Sequence, residues 1–444
     1  MSMFRRGSAV FAGSPISGVL DWLSQPVTVW SRWHRRLVLI GCLVASFLVF
    51  VLLAYGYGPV ETPDGRRDHA IGVLFVESGF QLDWDGEQFA TLRREFQMVQ
   101  APIQYLFYHV VLGVTHLIAG ENWLYLIVLF NVLLQTAITG ALLLFAVHHF
   151  KSRGVFLGMA AMSMGCWEYL QWIPHSQSEP LFGVVVIAAM ILVVCQWTAV
   201  GRRDAIVFAT GAVLVAVASF FIRPTAAPLI VFVLISIVLG LLVTDKDMND
   251  RVQFLSRWLI VLTLALLAAI PVLVFPLFDP SVLPAGAIQD SVSGYHDHAA
   301  MGMVVWERPE YTFDPPEDYL GFLLIAVRRL YYFFLFVAKD FSTLHKVLNV
   351  LFFIPFYALV CFGIWLVLRP ATALAPPHRL IGLLAIGLIL LFDVFHAVTL
   401  LDFDWRYRSP TYPAMFMLAA IGLETLAASH RMRKSADNLE AGDK

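Results

Sequence analysis

Charge is what this chain has least of. Lys, Arg, Asp and Glu make up 14% of its 444 residues, against 59% apolar residues and a mean hydropathy of +0.74. A soluble surface demands more charge than that, so the composition excludes an ordinary globular domain and leaves a multi-pass membrane protein. Cysteine is nearly as scarce. Cys42, Cys166, Cys195 and Cys361 all fall inside apolar runs, where a thiol is a small packing residue, so neither a disulfide framework nor a clustered metal site follows. No glycine-rich phosphate loop follows a strand pattern, so a nucleotide-binding site has no support. The net charge of −2 gives no support to a nucleic-acid partner. The stretch before Trp33 lacks the short apolar core and cleavage site of a signal peptide, and the run from Leu37 is too long for one, so it reads as a retained first helix.

What is present is a series of apolar runs. A crossing needs about 20 apolar residues, because ~30 Å of hydrocarbon is spanned at about 1.5 Å per residue. Ten stretches qualify: Leu37 to Tyr55, Trp123 to Val147, Val155 to Trp172, Leu181 to Val200, Ala205 to Phe221, Pro228 to Val243, Trp258 to Leu277, Val350 to Leu368, Leu380 to Leu400 and Pro413 to Ala428. Two further stretches are expected in the interface as amphipathic helices. Ile103 to Ile118 is short and carries Tyr105, Tyr108, His109 and His116; Tyr319 to Ala338 carries Arg328 and Arg329 at its centre, too costly for mid-bilayer. The expected fold is thus an all-α integral membrane protein with about ten transmembrane helices and two interfacial ones. Residues 1–36 form a cytoplasmic segment, 37–428 the transmembrane domain, and 429–444 a cytoplasmic tail.

Basic residues orient this arrangement, since cytoplasmic loops collect Lys and Arg. With the N-terminus inside, 18 of the 30 basic residues fall on the cytoplasmic side, and every loop there holds at least two. The outer side then receives residues 56–122, the turns Ile173 to Pro180 and Ile222 to Pro228, residues 278–346, and Asp402 to Tyr412. These segments contain most of the unusual chemistry, so a site is expected on the extracytoplasmic face of a plasma (inner) membrane.

The densest of them is Asp83-Trp84-Asp85-Gly86-Glu87-Gln88-Phe89. Three acids in a polar segment are ordinarily a solvated loop, but the alternating aromatics suggest a surface that buries part of itself. Ser178-Glu179-Pro180 is explained equally well as a helix start, with Glu179 favoured by the dipole and Pro180 in the first turn. Arg223-Pro224 ends a helix where snorkelling would account for the arginine. Arg406 and Arg408, flanking Tyr407, sit on the side that basic residues avoid, and an anionic partner would hold them there. Arg328, Arg329 and Lys346 add to that charge, with attraction to headgroups as the simpler account of the pair. His296 and His298 match no zinc spacing. His175 lies in the same outer turn as Glu179.

In order and sidedness these features resemble the GT-C superfamily of polytopic glycosyltransferases. Asp85-Gly86 with Phe89 looks like its Asp-Gly-x-(Phe/Tyr) element, and Ala101-Pro102 through Gly120-Glu121-Asn122 like its interfacial helix and Gly-(Glu/Asp)-Asn turn. Glu179-Pro180-Leu181-Phe182, Arg223-Pro224 and Arg406-Tyr407-Arg408-Ser409-Pro410 resemble its later motifs. The resemblance runs from Leu37 to Ala428, and bacterial members that use polyprenyl-phosphate sugars are the nearer kin. It implies transfer of a sugar from a polyprenyl-phosphate donor to a glycan, lipid or protein acceptor, with membrane lipid around both and no nucleic acid. Asp85 would be the base with Asp83 beside it; Glu87, Glu179, His175 and Tyr407 would bind donor or acceptor; Arg406, Arg408, Arg223, Arg328, Arg329 and Lys346 would meet the lipid phosphate. No particular cofactor is implied, and Asp83 or Glu179 could hold a divalent cation (Mg or Mn). The geometric expectation is that Asp85 and Arg406 meet in one hollow. An O-antigen-ligase type enzyme with a lipid diphosphate donor is the near rival. A flippase or transporter would instead show mid-membrane ionisable groups and an internal repeat; Asp393 is the partial exception here.

Overall fold

A computed structural model describes residues 15–81, 83–96, 103–284, 286, 289, 316–338, 341–369, 374–399 and 405–442. They are almost wholly helical, and two isolated bridges are their only extended pairings. The helices are α1 (Pro15–Ser24), α2 (Arg32–Tyr57), α3 (Pro63–Glu77), α4 (Glu87–Glu95), α5 (Leu106–Ala119), α6 (Trp123–His149), α7 (Arg153–Gly165), α8 (Trp167–Leu170), α9 (Glu179–Thr198) and α10 (Arg202–Phe220). After them come α11 (Ala227–Leu242), α12 (Met248–Phe278), α13 (Tyr319–Tyr332), α14 (Thr343–Leu368), α15 (Pro376–Thr399), a 3-10 turn (Trp405–Thr411) and α16 (Tyr412–Gly442).

Short polar side chains start these helices by accepting a backbone N–H that the first turn leaves orphaned. Ser31 accepts from His34, Thr62 from Gly65, Ser152 from Val155, Asp247 from Asp250, Asp318 from Gly321 and Ser342 from His345. Ser178 makes no such bond, and α9 begins on Glu179 and Pro180 alone.

Nine helical segments among the described residues are long and apolar enough to cross a membrane, which makes this an all-α integral membrane protein. The tenth expected crossing, Val155 to Trp172, is not one helix. It breaks at Cys166 into the 13-residue α7 and the 4-residue α8. Its ends are nonetheless tied to the ends of α2: Pro26 pairs with Ser152 at one face of the bundle, and Val60 pairs with His175 at the other. The broken segment therefore covers the same thickness as α2.

Three other expectations change. Residues 56–122 are not a loop but largely the helices α3, α4 and α5, because Thr62-Pro63 starts α3 with a cap and a preset proline. The stretch from Ile103, expected in the interface, joins α6 in a single apolar segment, Ile103–His149, interrupted at Gly120, whose φ of +52° only glycine adopts readily. Residues 429–442 continue α16 as helix and dock onto α1. There Asp21 accepts from His430 Nε2 at 2.8 Å and from Lys434 Nζ at 2.5 Å. Six residues before His430, the Glu424 carboxylate accepts the N–H groups of Lys151 and Ser152 at 3.2 and 2.9 Å.

On that same α1 face, Arg251 closes the ends of two helices. Its guanidinium donates to Trp197 O at 2.6 Å, Ala199 O at 2.9 Å, Lys246 O at 2.9 Å and Thr244 O, satisfying carbonyls that α9 and α11 leave exposed at their C-termini. Arg251→Ala should lower stability by about 1.5–3 kcal/mol, the worth of a charge-assisted bond, with Arg251→Lys intermediate because an ammonium cannot fork between the two helices. Thermal unfolding of the purified protein in detergent measures both; an unchanged midpoint for Arg251→Ala would show that water replaces the bracket.

Candidate functional site

Buried polar groups gather on the face opposite α1, where α3, α5, the 171–178 turn and the 3-10 turn come together. The approach of α3 to α5 comes from glycine. A Cβ on Gly72 would stand 2.3 Å from His109 O, and one on Gly113 would stand 2.3 Å from Gly72 O, so only hydrogen fits at the crossing. One turn earlier on each helix, Asp68 and His109 meet with Nε2 3.4 Å from Oδ1. Arg67 lies between two carboxylates, 3.0 Å from Asp68 and 3.3 Å from Asp64. Asp68 is 5% exposed at its side chain and Asp64 is 47% exposed, so the first is the buried partner of the guanidinium and the second its partner at the surface.

The α3 N-terminus rests on the 171–178 turn. Gly65 lies so close to Ser176 that a Cβ would overlap its Oγ, and Thr62 N–H donates to that oxygen at 3.2 Å. Asn131 of α6 holds the turn from below, donating to Ile173 O and His175 O. Glu179 then pairs with Arg223 at 2.6 Å, both nearly buried. Arg223 lies 5.6 Å from the Tyr407 ring, which stacks on His396 at 5.0 Å. Tyr108, fully buried, is within electrostatic reach of Asp68, Glu179 and Arg223, and so links the α3 set to the Glu179 set.

Of the residues expected from the sequence, Glu179, Arg223, Tyr407 and His175 therefore share one neighbourhood, and Arg408 borders it from the next position of the 3-10 turn. The acidic loop does not join them. Asp83, Asp85 and Glu87 are exposed; Asp85 is 97% exposed and its partner is Arg93, at 3.3 Å. The aromatics of that loop do pack, since Trp84 and Phe89 are buried against Ile71 and Leu92. The hollow expected to contain Asp85 and Arg406 is not seen from the Asp85 side, where Asp85 is 97% exposed, and the Arg406 side chain lies outside the described residues, as do His296 and His298. Arg328 and Arg329 are not a pair facing headgroups. Successive helical residues point about 100° apart, and Arg329 is 2% exposed inside the protein while Arg328 is half-buried. Lys346 is half-buried near the start of α14.

Sequence reasoning missed Asp68, His109 and Glu168. The available signal for Glu168 was an acid inside an apolar run, which in a membrane segment marks function by default. Among the described residues no three His, Cys, Asp or Glu side chains gather as a metal site. Comparison with protein-family models, with curated proteins and with solved structures finds no match.

His69 stacks on Trp123 at 3.7 Å and meets His116 Nδ1 at 3.1 Å. Burial first, and then His116, pushes His69 down to about 4. Burial likewise lowers His175. Both groups bind protons more readily unfolded, so stability is complete above the ordinary imidazole value of about 6.5 and falls as pH drops below it, for His69 down to about 4. His69→Gln should flatten part of that slope in unfolding midpoints measured from pH 7.5 to 4.5. Gly72→Val should separate α3 from α5 and cost about 1–3 kcal/mol in the same assay.

Proposed function

We propose that this chain is a membrane-embedded glycosyltransferase that moves a sugar from a polyprenyl-phosphate donor to an acceptor at the extracytoplasmic face. The observation that carries the reading is the Glu179–Arg223 pair beside Tyr407, set next to the Asp64–Arg67–Asp68 group on one face of an otherwise apolar bundle. Buried ionised groups in such a bundle are expensive, and they mark a site. The resemblance to GT-C transferases points the same way.

In this reading the acceptor oxygen attacks the anomeric carbon as the phosphate leaves from the opposite face, which inverts the configuration. Arg223, oriented by Glu179 and Tyr407, meets the charge that grows on the phosphate. A carboxylate takes the acceptor proton. Asp64 fits that part better than Asp85, because it is half-exposed beside a fixed guanidinium, whereas Asp85 projects into solvent without a wall to hold an acceptor. A divalent cation would have to draw on these same carboxylates. One observation favours a transporter instead: Asp393, in the membrane helix α15, is 7% exposed with an unpartnered Oδ1.

Envelope glycans from a deletion strain, profiled by mass spectrometry, should lack one sugar. Restoring the gene with Asp64→Asn should leave transfer at least about 100-fold below normal, as expected for loss of a general base, while Asp85→Asn restores it. The reverse pattern would return the base to the acidic loop, and an unchanged glycan profile on deletion would remove the transferase reading.

A further inference from the structure

Between α11 and α12 runs an apolar groove that the candidate site does not use. Both helices pack along α15, yet among the described residues they scarcely meet each other. The gap between them has α15 as its floor, from Leu383 to Leu391, with α11 as one wall and α12, from Leu255 to Ala265, as the other. Its volume of about 480 Å³ falls within the ~300–1,000 Å³ common to ligand clefts. Of the residues along it, only Ser236 and the Trp258 indole carry a polar side-chain group. A sugar, nucleotide or peptide seated there would lose its hydrogen bonds to water without replacement, so the groove suits hydrocarbon.

Position and depth say which hydrocarbon. All three helices belong to segments long and apolar enough to cross a membrane. Arg257 and Trp258, both exposed, stand near the end of the groove on the α1 side, a basic and an aromatic residue together as at the level of lipid headgroups. Ala265 lies eight residues beyond Arg257. At ~1.5 Å per residue that is about 12 Å, close to the ~15 Å of hydrocarbon in one leaflet. A neighbouring helix about 10 Å across would displace roughly 900 Å³ over the same length, nearly twice what the groove offers. Arg223 and Glu179 stand at the other end of α11, so a lipid entering beside Arg257 belongs to the leaflet that the candidate site does not face.

We propose that the groove holds one acyl chain of an anionic phospholipid from the α1-side leaflet, with Arg257 at its phosphate. The chain supplies the dispersion contact that α11 and α12 do not make with each other, and so joins both walls to the α15 floor. The guanidinium favours a headgroup of net negative charge, because in a zwitterionic one an ammonium offsets the phosphate. The side chain of Arg257 leans toward the start of α12 and therefore toward the headgroups, while its stem stays along the apolar wall. This inference does not depend on the transferase reading.

Native mass spectrometry of the full-length protein in a mild detergent, titrated with palmitoyl-oleoyl phosphatidylglycerol or with the same chains on phosphatidylcholine, tests the proposal. The tightest-bound phosphatidylglycerol should hold about fivefold better than phosphatidylcholine, the preference that one basic side chain gives an anionic lipid, and should raise the Tm. Gly387→Leu fills the floor, where a Cβ already comes within 3.7 Å of Leu259 and 3.9 Å of Phe232, and should weaken both lipids at least about tenfold. Should that variant fail to fold, Val238→Trp on the wall, at a position 58% exposed, carries the same expectation. Arg257→Gln should leave phosphatidylcholine binding and the lipid-free Tm unchanged and erase the preference. Parental binding in the filled variant, or a preference that survives Arg257→Gln, overturns the proposal. Displacement of phosphatidylglycerol by equimolar farnesyl phosphate would also overturn it, by assigning the groove to a polyprenyl chain. A dimer that forms as lipid is removed would overturn it in favour of a second copy of the chain.

Discussion

A carboxylate taken out of water must be met by donors where it stands, because solvation lost on burial is only recovered from fixed partners. Glu168 and Glu179, eleven positions apart on either side of one short turn, impose that requirement on half the molecule. Glu179 draws Arg223 from the end of α10, and Glu168 draws His345 and Asn349 from α14. The 3-10 turn Trp405–Thr411 lies between the two, giving Tyr407 to one and Arg408 to the other. Helices that would otherwise pack through interchangeable apolar faces acquire a register.

The same requirement explains why the third crossing is broken. A continuous helix through Cys166 would carry the Glu168 side chain around with the α7 face; ending α7 at Gly165 and restarting at Trp167 lets the carboxylate turn to its donors. Glycine performs the complementary task between α3 and α5, where the absence of two side chains brings Asp68 and His109 together.

The long helices were legible because hydrocarbon thickness imposes a length that composition alone reports. Leu37 to Tyr55 lies within α2 and Leu181 to Val200 overlaps α9 almost throughout. What could not be read depends on pairing at a distance. Asp85 has the look of a site in sequence, with aromatics around it, yet Trp84 and Phe89 serve a small apolar cluster and leave the acids outside. Asp68 has no such look, and its partner His109 lies 41 residues away. Arg328 and Arg329 are adjacent in the chain but diverge on the helix, so a doublet in the text became one buried and one half-buried guanidinium. Glu179, Arg223 and Tyr407 could be singled out because each stands at a helix end, where sequence signals are strongest.

One feature of the opposite face bears on how the molecule is made. Glu424 covers the N–H groups of Lys151 and Ser152, while His430 and Lys434 reach Asp21. During synthesis those early groups emerge hundreds of residues before the side chains that complete them, so the 151–153 corner and α1 gain these partners only once residues 424–434 have been made. That corner is thereby latched late, and a nascent chain stopped short of residue 424 would leave its N–H groups without the Glu424 carboxylate.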